Sequence, residues 1–377
     1  MTREFWVLGL AATFFFACAG AANALLPRFV VDELGGTETT AGVVMGSMAI
    51  TALLTRPWYG RLADRGGARQ LLIVGGLVAA VGYAVLLVAS SVGIAILSRM
   101  VVGAGMAGMF VGSSTLALQI APPERRSEAA SYLLVSVHVG LGLGPVAGEA
   151  IRNATSYDRA WLIVTVLTVV SSLIASRLPD RPGNPQAHPA PLIHRGAIAP
   201  GLASLFGVFA FNGFLTFAPL YGREIGLEDV GLVFTVASFT IVIVRVLFGR
   251  LPDLIGPVRA GTGALVITVG AAAVVAIWAE PAGMYVGAAL LAIGLSMQSP
   301  SFMAVAIEGV EDHERGAAMA TYTAFFDIAN ALVGPTIGLI VSGFSYRVAF
   351  LFAGSMALVS IAVLQLMVAP QQRRPTG

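Results

Sequence analysis

The sequence contains little charge. Charged residues make up only 11% of the 377 residues, whereas hydrophobic residues make up 57% and the mean hydropathy is +0.85. Soluble domains carry about 25% charged residues. So few charges cannot cover a surface that faces water, and lipid must therefore surround most of this chain.

Lysine is absent, and cysteine and histidine are rare. All 22 basic residues are arginine, which suits either the capture of anionic groups by guanidinium or simply a GC-rich genome. The single cysteine, Cys18, excludes a disulfide framework and a cysteine metal site. The histidines have no metal-ligand spacing, so we expect no metal and no cofactor. They are His138, His188, His194 and His313.

Long apolar stretches recur along the whole chain. A helix needs about 20 apolar residues to cross a bilayer, and that length predicts twelve spans joined by short loops. The first stretch is too long for a signal peptide and has no cleavage site, so we expect a retained span. No room is left for a soluble catalytic domain, and we expect an all-α membrane protein that is not an enzyme. The predicted spans are 5–27, 39–60, 71–90, 93–119, 127–151, 158–177, 199–220, 229–250, 258–279, 282–307, 316–342 and 346–368.

One longer connector divides the chain. The segment between Arg177 and Pro200 is rich in proline and charge, which favours a flexible or polyproline-like linker. We predict an N-terminal six-helix bundle at 1–177, a cytoplasmic linker at 178–198 and a C-terminal six-helix bundle at 199–377.

The arginine distribution predicts the orientation. Cytoplasmic loops of membrane proteins carry an excess of basic residues. With the N-terminus inside, fourteen arginines fall on the cytoplasmic side and five outside, the outer set being Arg28, Arg152, Arg159, Arg223 and Arg347. We therefore expect both termini in the cytoplasm of a bacterial cell, with the protein in the inner membrane.

The two halves repeat one another. The segment from Arg56 to Asp64 recurs as Arg245 to Asp253, 189 positions later, with Gly60-Arg61 matched by Gly249-Arg250. A second set recurs 190 positions later: Glu124-Arg125, Tyr132, Gly144-Pro145 and Gly148 correspond to Glu314-Arg315, Tyr322, Gly334-Pro335 and Gly338. Offsets of 189 and 190 in two separated sets of motifs indicate a duplicated six-helix unit. Parallel repeats with a site at the membrane midplane are a transporter architecture.

The segment between spans two and three carries the first family resemblance. Gly60-Arg61-Leu62-Ala63-Asp64-Arg65-Gly66-Gly67-Ala68-Arg69 resembles motif A of the major facilitator superfamily. Glycine at the membrane edge permits a close backbone approach, and Asp64 can face the N-terminus of a neighbouring helix. The resemblance implies twelve helices in two pseudo-symmetric bundles. It also implies a conformational latch, made by Gly60, Arg61, Asp64, Arg65 and Arg69 and repeated at Gly249, Arg250 and Asp253.

Span four carries a second resemblance. Arg99, Gly103 and Gly105 resemble motif B of the same family, whose arginine is implicated in proton transfer or in holding an anionic group. A charge at this depth costs at least about 2.5–3.5 kcal/mol on insertion scales, so Arg99 needs a partner or water. A structural alternative is an arginine that extends outward to loop carbonyls.

Span five resembles motif C, the signature associated with exporters. It contains Gly140, Gly144, Pro145 and Gly148, where small residues permit tight helix packing and proline bends the helix. The corresponding hinge and packing residues of the second half are Gly334 and Pro335. The family usually has another glycine where this chain has Glu149, a departure that favours an importer slightly. We expect Glu149, near the outer end of the span, to contact water.

Asp327 lies near the middle of span eleven, on the same helix face as Asn330 and Gly334. A carboxylate within the membrane is a functional hypothesis by default. We expect proton coupling through Asp327, with Arg99 and His138, and the alternative for Asp327 is a permanent ion pair with an arginine. His138 can titrate near neutrality but is equally compatible with a core position.

Neutral polar residues on other spans predict a substrate cavity. Among them, methionine and aromatic side chains suit a deformable site but equally suit helix packing. The predicted cavity residues are Asn23, Asn212, Gln298, Phe326 and Asn330.

Three functions remain open from the sequence. The first is a proton-coupled exporter, an antiporter of a small amphipathic or hydrophobic molecule. The second is an importer or uniporter of a small metabolite. The third, a membrane enzyme or sensor, is disfavoured because no metal triad, nucleophile elbow or phosphate loop is present. The expected partners are a small-molecule substrate, protons and membrane lipid, with no nucleic acid, and we expect a monomer.

Overall fold

The computed structural model describes residues 2–122, 125–180, 193–308, 310–311 and 314–372. The side chains of Asp64, Ser127, Arg315, Gln371 and Gln372 are outside this description. So is residue range 181–192, which holds most of the predicted linker.

The described chain is helical, and its helices begin and end close to the predicted spans. Twelve helices are long and apolar enough to cross a membrane, which confirms the predicted fold class. Their lengths follow from the long apolar stretches, since a buried backbone in lipid must satisfy its hydrogen bonds internally. The α-helices are α1 (Arg3–Asp32), α2 (Glu38–Leu62), α3 (Ala68–Val85), α4 (Val92–Ile120), α5 (Arg126–Ala154), α6 (Tyr157–Ala175), α7 (Ile198–Gly207), α8 (Phe209–Glu224), α9 (Gly231–Phe248), α10 (Leu251–Ile255), α11 (Pro257–Ile277), α12 (Pro281–Ile307), α13 (Arg315–Gly343), α14 (Tyr346–Val363) and α15 (Ala369–Gln372).

Side-chain caps fix where several helices begin. The hydroxyl of Ser156 accepts a hydrogen bond from the Arg159 amide at 3.4 Å, and that of Ser345 accepts one from Val348 at 3.3 Å. Each cap satisfies a backbone donor that the first helical turn leaves unpaired. Ser156 and Ser345 are 189 positions apart, so the repeat extends to the helix caps.

The chain divides into two compact units. The first comprises residues Met1–Ala187 and Asp229–Ser238, and the second comprises His188–Glu228 and Phe239–Gly377. The segment Asp229–Ser238, which includes the start of α9, therefore belongs to the first unit. The sequence repeat, by contrast, places span eight in the second half. Helix α9 begins in one unit and continues in the other.

Glycine governs packing in the first unit. A Cβ atom at Gly105 would clash with the backbone of α3 at Gly75 and Ala79, and a Cβ at Gly112 would lie 2.6 Å from the Ala68 carbonyl oxygen. These absences of side chains let α3 and α4 approach closely along their length.

In the second unit, an apolar cluster joins α7, α11, α12, α13 and α14. Leu265, Phe302 and Ala357 are fully buried in it, and Tyr322 is 4% exposed. The Tyr322 hydroxyl lies 3.3 Å from the Ser204 hydroxyl, which donates to it, so the one polar atom of this ring has a partner. The cluster holds α7 in place beside α13.

Span seven differs from its prediction in one respect. The sequence predicts one continuous helix over 199–220, whereas the structure has two helices separated at Val208. The backbone at Val208 has φ of −85° and ψ of −8°, which departs from regular α-helical geometry. Gln298 lies against Gly207, next to this residue.

Candidate functional site

Few charged side chains are buried. Within the described part of the chain they are Arg28, Arg99, Glu149 and Asp327, which are 3%, 1%, 3% and 5% exposed. A charge at membrane depth is costly unless it is paired, hydrogen-bonded or hydrated. These residues therefore mark the places where the fold retains charge at a cost.

Asp327 lies in α13 of the second unit, at a level where two amides meet. Asn212 on α8 donates a hydrogen bond from Nδ2 to Oδ1 of Asn330, over 2.8 Å. The Nδ2 atom of Asn330 donates to the carbonyl oxygen of Phe326, at 3.0 Å. Since Asn330 is three residues after Asp327, α13 presents a carboxylate and an amide close together.

Gln298 approaches from α12. Its side chain is 1% exposed, and a Cβ at Gly207 would lie 2.5 Å from its Nε2 atom. Glycine at 207 is thus required for the amide to reach the interruption of span seven. Gln298 Nε2 has no hydrogen-bond partner among the described residues, so it retains a donor for a ligand or for water.

Aromatic residues of α13 border these amides. The Phe325 ring occupies the space above Gly201 on α7, where a Cβ would clash with it. Phe326 is half-buried. The second unit therefore pairs Asn212 with Asn330, one helical turn from Asp327, and places Gln298 against Gly207.

Arg99 is enclosed within the first unit. Its Nη2 atom donates to Oδ1 of Asn23 at 3.3 Å, whereas its Nε and Nη1 atoms have no hydrogen-bond partner among the described residues. The hydroxyl of Tyr83 on α3, fully buried, also has no hydrogen-bond partner there. The structure does not support the alternative of an arginine that extends outward to loop carbonyls, because Arg99 is 1% exposed and its hydrogen bond within the described ranges goes to the Asn23 side chain.

His138 lies on α5 of the same unit. Its Nδ1 atom is 2.8 Å from the carbonyl oxygen of Leu134, one turn earlier. The side chain is half-buried. The imidazole therefore has a local backbone partner, and its role in proton transfer stays a prediction.

Motif A forms the kinked connection between α2 and α3. Residues Ala63–Gly67 make a π-helical turn between α2 and α3, in which Gly66 has φ of +98°. A Cβ at Gly60 would meet no atom within 4 Å, so the close approach expected at Gly60 is wrong for this structure, and Gly66 is the residue that needs glycine. Arg61 and Arg65 are exposed, while Arg69 donates to the Ser176 carbonyl oxygen at 2.6 Å.

The repeated motif has a different local structure. Gly249 is followed by Arg250, which precedes the short helix α10, and Asp253 lies in the first turn of that helix. Gly256, with φ of +89°, ends it. Gly66 and Gly256 are 190 positions apart, one more than the 189-residue offset of this motif, so both halves place a left-handed glycine within one residue of the same point of the repeat.

The motif C glycines pack α5 against α1. A Cβ at Gly140 would lie 2.5 Å from the Thr13 carbonyl oxygen, one at Gly144 would clash with that of Ala17, and one at Gly148 would lie 2.8 Å from Ala21 Cβ. Pro145 lies inside α5, and Gly334 and Pro335 occupy the matching place inside α13.

Glu149 does not contact water as expected. It is 3% exposed, with its Oε1 atom 3.7 Å from Nη1 of Arg28 and both carboxylate oxygens accepting backbone hydrogen bonds from the start of α9. The assignment of Arg28 to an outer loop is also wrong, since Arg28 lies inside α1 and is 3% exposed. No group of three or more metal-ligating side chains occurs in the described ranges.

The sequence profile of the major facilitator superfamily matches residues 8–279 and 202–377. The chain belongs to the major facilitator superfamily. An uncharacterized MFS-type transporter of Salmonella typhimurium is 26% identical over 360 residues, which cover 91% of each chain. This major facilitator protein is accordingly a multi-pass membrane protein and a transporter rather than an enzyme.

Solved structures agree with the fold. A peptide transporter bound to sulfate has a TM-score of 0.84 at 14% identity, covering 98% of this chain and 95% of the other. A bacterial homologue of the human lysosomal transporter Spinster, inward-facing and occupied, has a TM-score of 0.82 at 14% identity, covering 99% and 98%. At this identity the likeness shows the shared fold of the superfamily.

Sequence reasoning missed several residues beside these sites. Tyr83 interacts electrostatically with Arg99, and the missing side chain at Gly207 leaves space for Gln298. Neither Tyr83 nor Gly207 belongs to a sequence motif. The sequence places Arg28 and Glu149 separately at the outer ends of spans one and five, and does not predict that they pair. Their opposite charges near the same ends of two spans were the available signal.

Proposed function

We propose that this major facilitator protein is a proton-coupled exporter, which moves a small amphipathic or hydrophobic molecule by alternating access. The observation that supports it best is Asp327, a carboxylate buried in a membrane-spanning helix of a transporter. A carboxylate in the membrane costs about 2.5–3.5 kcal/mol on insertion scales unless it is paired or protonated, and a role in transport would account for its retention.

The proposed substrate site in the second unit is formed by Asn212, Gln298, Asn330 and Phe326. The amides supply donors and acceptors at fixed positions, and the aromatic side chain supplies apolar contact. Asn23, which accepts a hydrogen bond from Arg99 within the first unit, is also proposed as a substrate-contacting residue. Small-molecule sites combine a few placed polar groups with apolar surface in this way.

Proton coupling is proposed for Asp327, Arg99 and His138. Asp327 would carry the proton in one state and be charged or bound to substrate in the other. Arg99 would stabilise negative charge nearby, because two of its donor nitrogens lack hydrogen-bond partners among the described residues. His138 would take part through its second ring nitrogen.

The remaining proposals concern conformation and context. Motif A and its repeat, including the predicted residue Asp64, would act as the conformational latch. Motif C would supply the hinge between α1 and α5. We further propose a monomer in a bacterial inner membrane, surrounded by lipid, with both termini in the cytoplasm.

A substrate screen in proteoliposomes with an imposed pH gradient tests the proposal. The purified chain should accumulate an amphipathic substrate on the acidic side, and a protonophore should abolish the accumulation. Liposomes that carry the Asp327→Asn variant are the matched control. Transport that ignores the gradient contradicts coupling, and substrate movement in the same direction as protons supports the alternative, a proton-coupled importer.

A further inference from the structure

Glu149 stands where the superfamily pattern has glycine, and the structure gives this departure a role. Its carboxylate accepts hydrogen bonds from the backbone amides of Val230, at 3.0 Å, and Gly231, at 2.5 Å. These amides belong to the start of α9, where the first helical turn leaves backbone donors unpaired. A carboxylate there satisfies two donors and interacts favourably with the helix dipole.

The carboxylate also has a cationic neighbour on its other side. Nη1 of Arg28 on α1 lies 3.7 Å from Oε1 of Glu149, and both side chains are almost fully buried. Hydrogen bonds to charged groups are about twice as strong as those between neutral groups, and the enclosure removes competing water. Glu149 thus connects three elements of the first unit: α1, α5 and the segment Asp229–Ser238.

The contact continues along one face of α5. Thr235 Oγ1 donates to the Gly142 carbonyl oxygen at 2.5 Å, and Asn153 Nδ2 donates to Asp229 Oδ1 at 2.8 Å. Together with Glu149, these α5 positions follow helical spacing. Along this face α5 and α9 run antiparallel, so that Gly142 pairs with Thr235 and Asn153 pairs with Asp229.

Gly231 is required for the approach. A Cβ at this position would lie 2.8 Å from Glu149 Oε2 and 2.8 Å from Val146 Cα. The segment therefore combines a missing side chain, a capped helix start and two side-chain hydrogen bonds. The repeat offers no second copy, because the position 190 residues after Glu149 is Leu339, which is 62% exposed.

We infer that Glu149 is a positioning residue of the transport cycle, which holds the first turns of α9 against α5 in one state and releases them in the other. The inference rests on the proposed alternating-access function. In sequence α9 belongs to the second repeat, and its first turns are the part of it that packs with the first unit. Such a contact controls the relative populations of two conformational states of the transporter, whereas substrate binding is proposed at other residues.

Distance measurement between spin labels tests the inference directly. Cysteines replace Thr155, just after α5, and Leu232, in the first turn of α9, in a Cys18→Ala background. Both positions are exposed. The Glu149→Gln variant keeps the shape of the side chain but loses the charge that strengthens its bonds to α9 and Arg28. The population with a long distance between the labels, relative to the population with a short distance, should therefore rise about tenfold or more.

Two further variants separate this positioning role of Glu149 from a general structural role. Gly231→Ala leaves every charge in place but crowds Glu149 and Val146, and should produce the same shift. Glu128→Gln removes an exposed acid from the other end of α5, paired with Arg125 at 2.7 Å, and should leave the distances unchanged. Lower thermal stability without a shift in the ratio would mean that Glu149 only stabilises the fold.

The outcomes for the positioning role of Glu149 and for the proposed function are distinguishable. Should Glu149→Gln fail to accumulate in the membrane, Thr235→Val removes one bond of the same contact and should shift the ratio in the same direction. Unchanged distances in these variants overturn the inference whether or not the chain transports. Absence of transport in the unaltered protein overturns the proposed function, while the distances still report on the contact between α5 and α9.

Discussion

The side-chain amides of Asn212 and Asn330 form a hydrogen bond of 2.8 Å that connects α8 to α13 inside the second unit. Each comes from the middle of an apolar span, and the bond lies one helical turn from Asp327. The pair fixes the orientation of α13 where the carboxylate emerges. This bond is partly buried, and breaking it is costly to the extent that the remaining partner is left without a hydrogen bond.

Asn330→Ala should weaken substrate binding and lower stability by about 1–3 kcal/mol, because Asn212 loses its acceptor. Binding to the purified protein and thermal unfolding in detergent measure the two effects. Thr323→Val, which removes a local bond to the Met319 carbonyl oxygen on the same helix, is the control and should alter binding little. Loss of stability with normal affinity would assign the amides to structure alone.

Asp327→Asn should abolish accumulation driven by a pH gradient while sparing substrate binding. Asparagine keeps the shape and hydrogen-bonding capacity of the side chain but cannot exchange a proton. Proteoliposome uptake and counterflow, where no net proton movement is needed, measure the difference. Asp158→Asn, an exposed change in the first turn of α6, is the control. Normal pumping by Asp327→Asn would move the coupling role to another acid, and failure to accumulate in the membrane would indicate a structural ion pair.

Gly144→Ala should destabilise the first unit by about 1–3 kcal/mol, since the added methyl group would overlap the Ala17 carbonyl oxygen. Gly263→Ala in α11 is the matched change, because a Cβ there meets no atom within 4 Å. It should be neutral or stabilising by up to about 1 kcal/mol through helix propensity. Thermal unfolding compares them, and equal midpoints would contradict the packing role of motif C.

Asp64→Asn should reduce turnover about tenfold, or ~1.4 kcal/mol in the rate-limiting barrier, while leaving substrate affinity almost unchanged. The physical reason is that motif A is proposed to control a conformational step rather than to bind substrate. Initial transport rates and equilibrium binding measure the two quantities on the same preparation. Unaltered transport would leave the motif with a role in membrane orientation only.

Cysteines introduced in the 177–200 region and after Pro370 should react with an impermeant label only from the cytoplasm, and one near Ser156 only from outside. Cys18→Ala provides the background, since Cys18 is the single native cysteine. The reason is the excess of arginine on one side of the membrane. Exterior labelling of the first two sites would reverse the predicted orientation.

The sequence by itself determined the fold class and the repeat. Twelve apolar stretches of membrane length leave a chain no other way to satisfy its backbone in lipid, so hydropathy alone predicts the helices. The offset between halves, and motifs A, B and C, were sufficient to identify the superfamily. The position of Gln298 against Gly207, beside the interruption at Val208, was not predictable, because these residues are distant in sequence and meet only in the folded chain.

Only the tertiary structure decided which polar residues meet. Sequence order gives depth along a span but not the rotation of one helix against another, and a small rotation decides whether a side chain faces lipid or a neighbour. Asn212 and Asn330 became partners through the packing of α8 on α13, and Glu149 became a helix cap instead of a rim residue. A buried charge is tolerated only where donors or counter-charges from other helices converge, and those distances exist only in the folded chain.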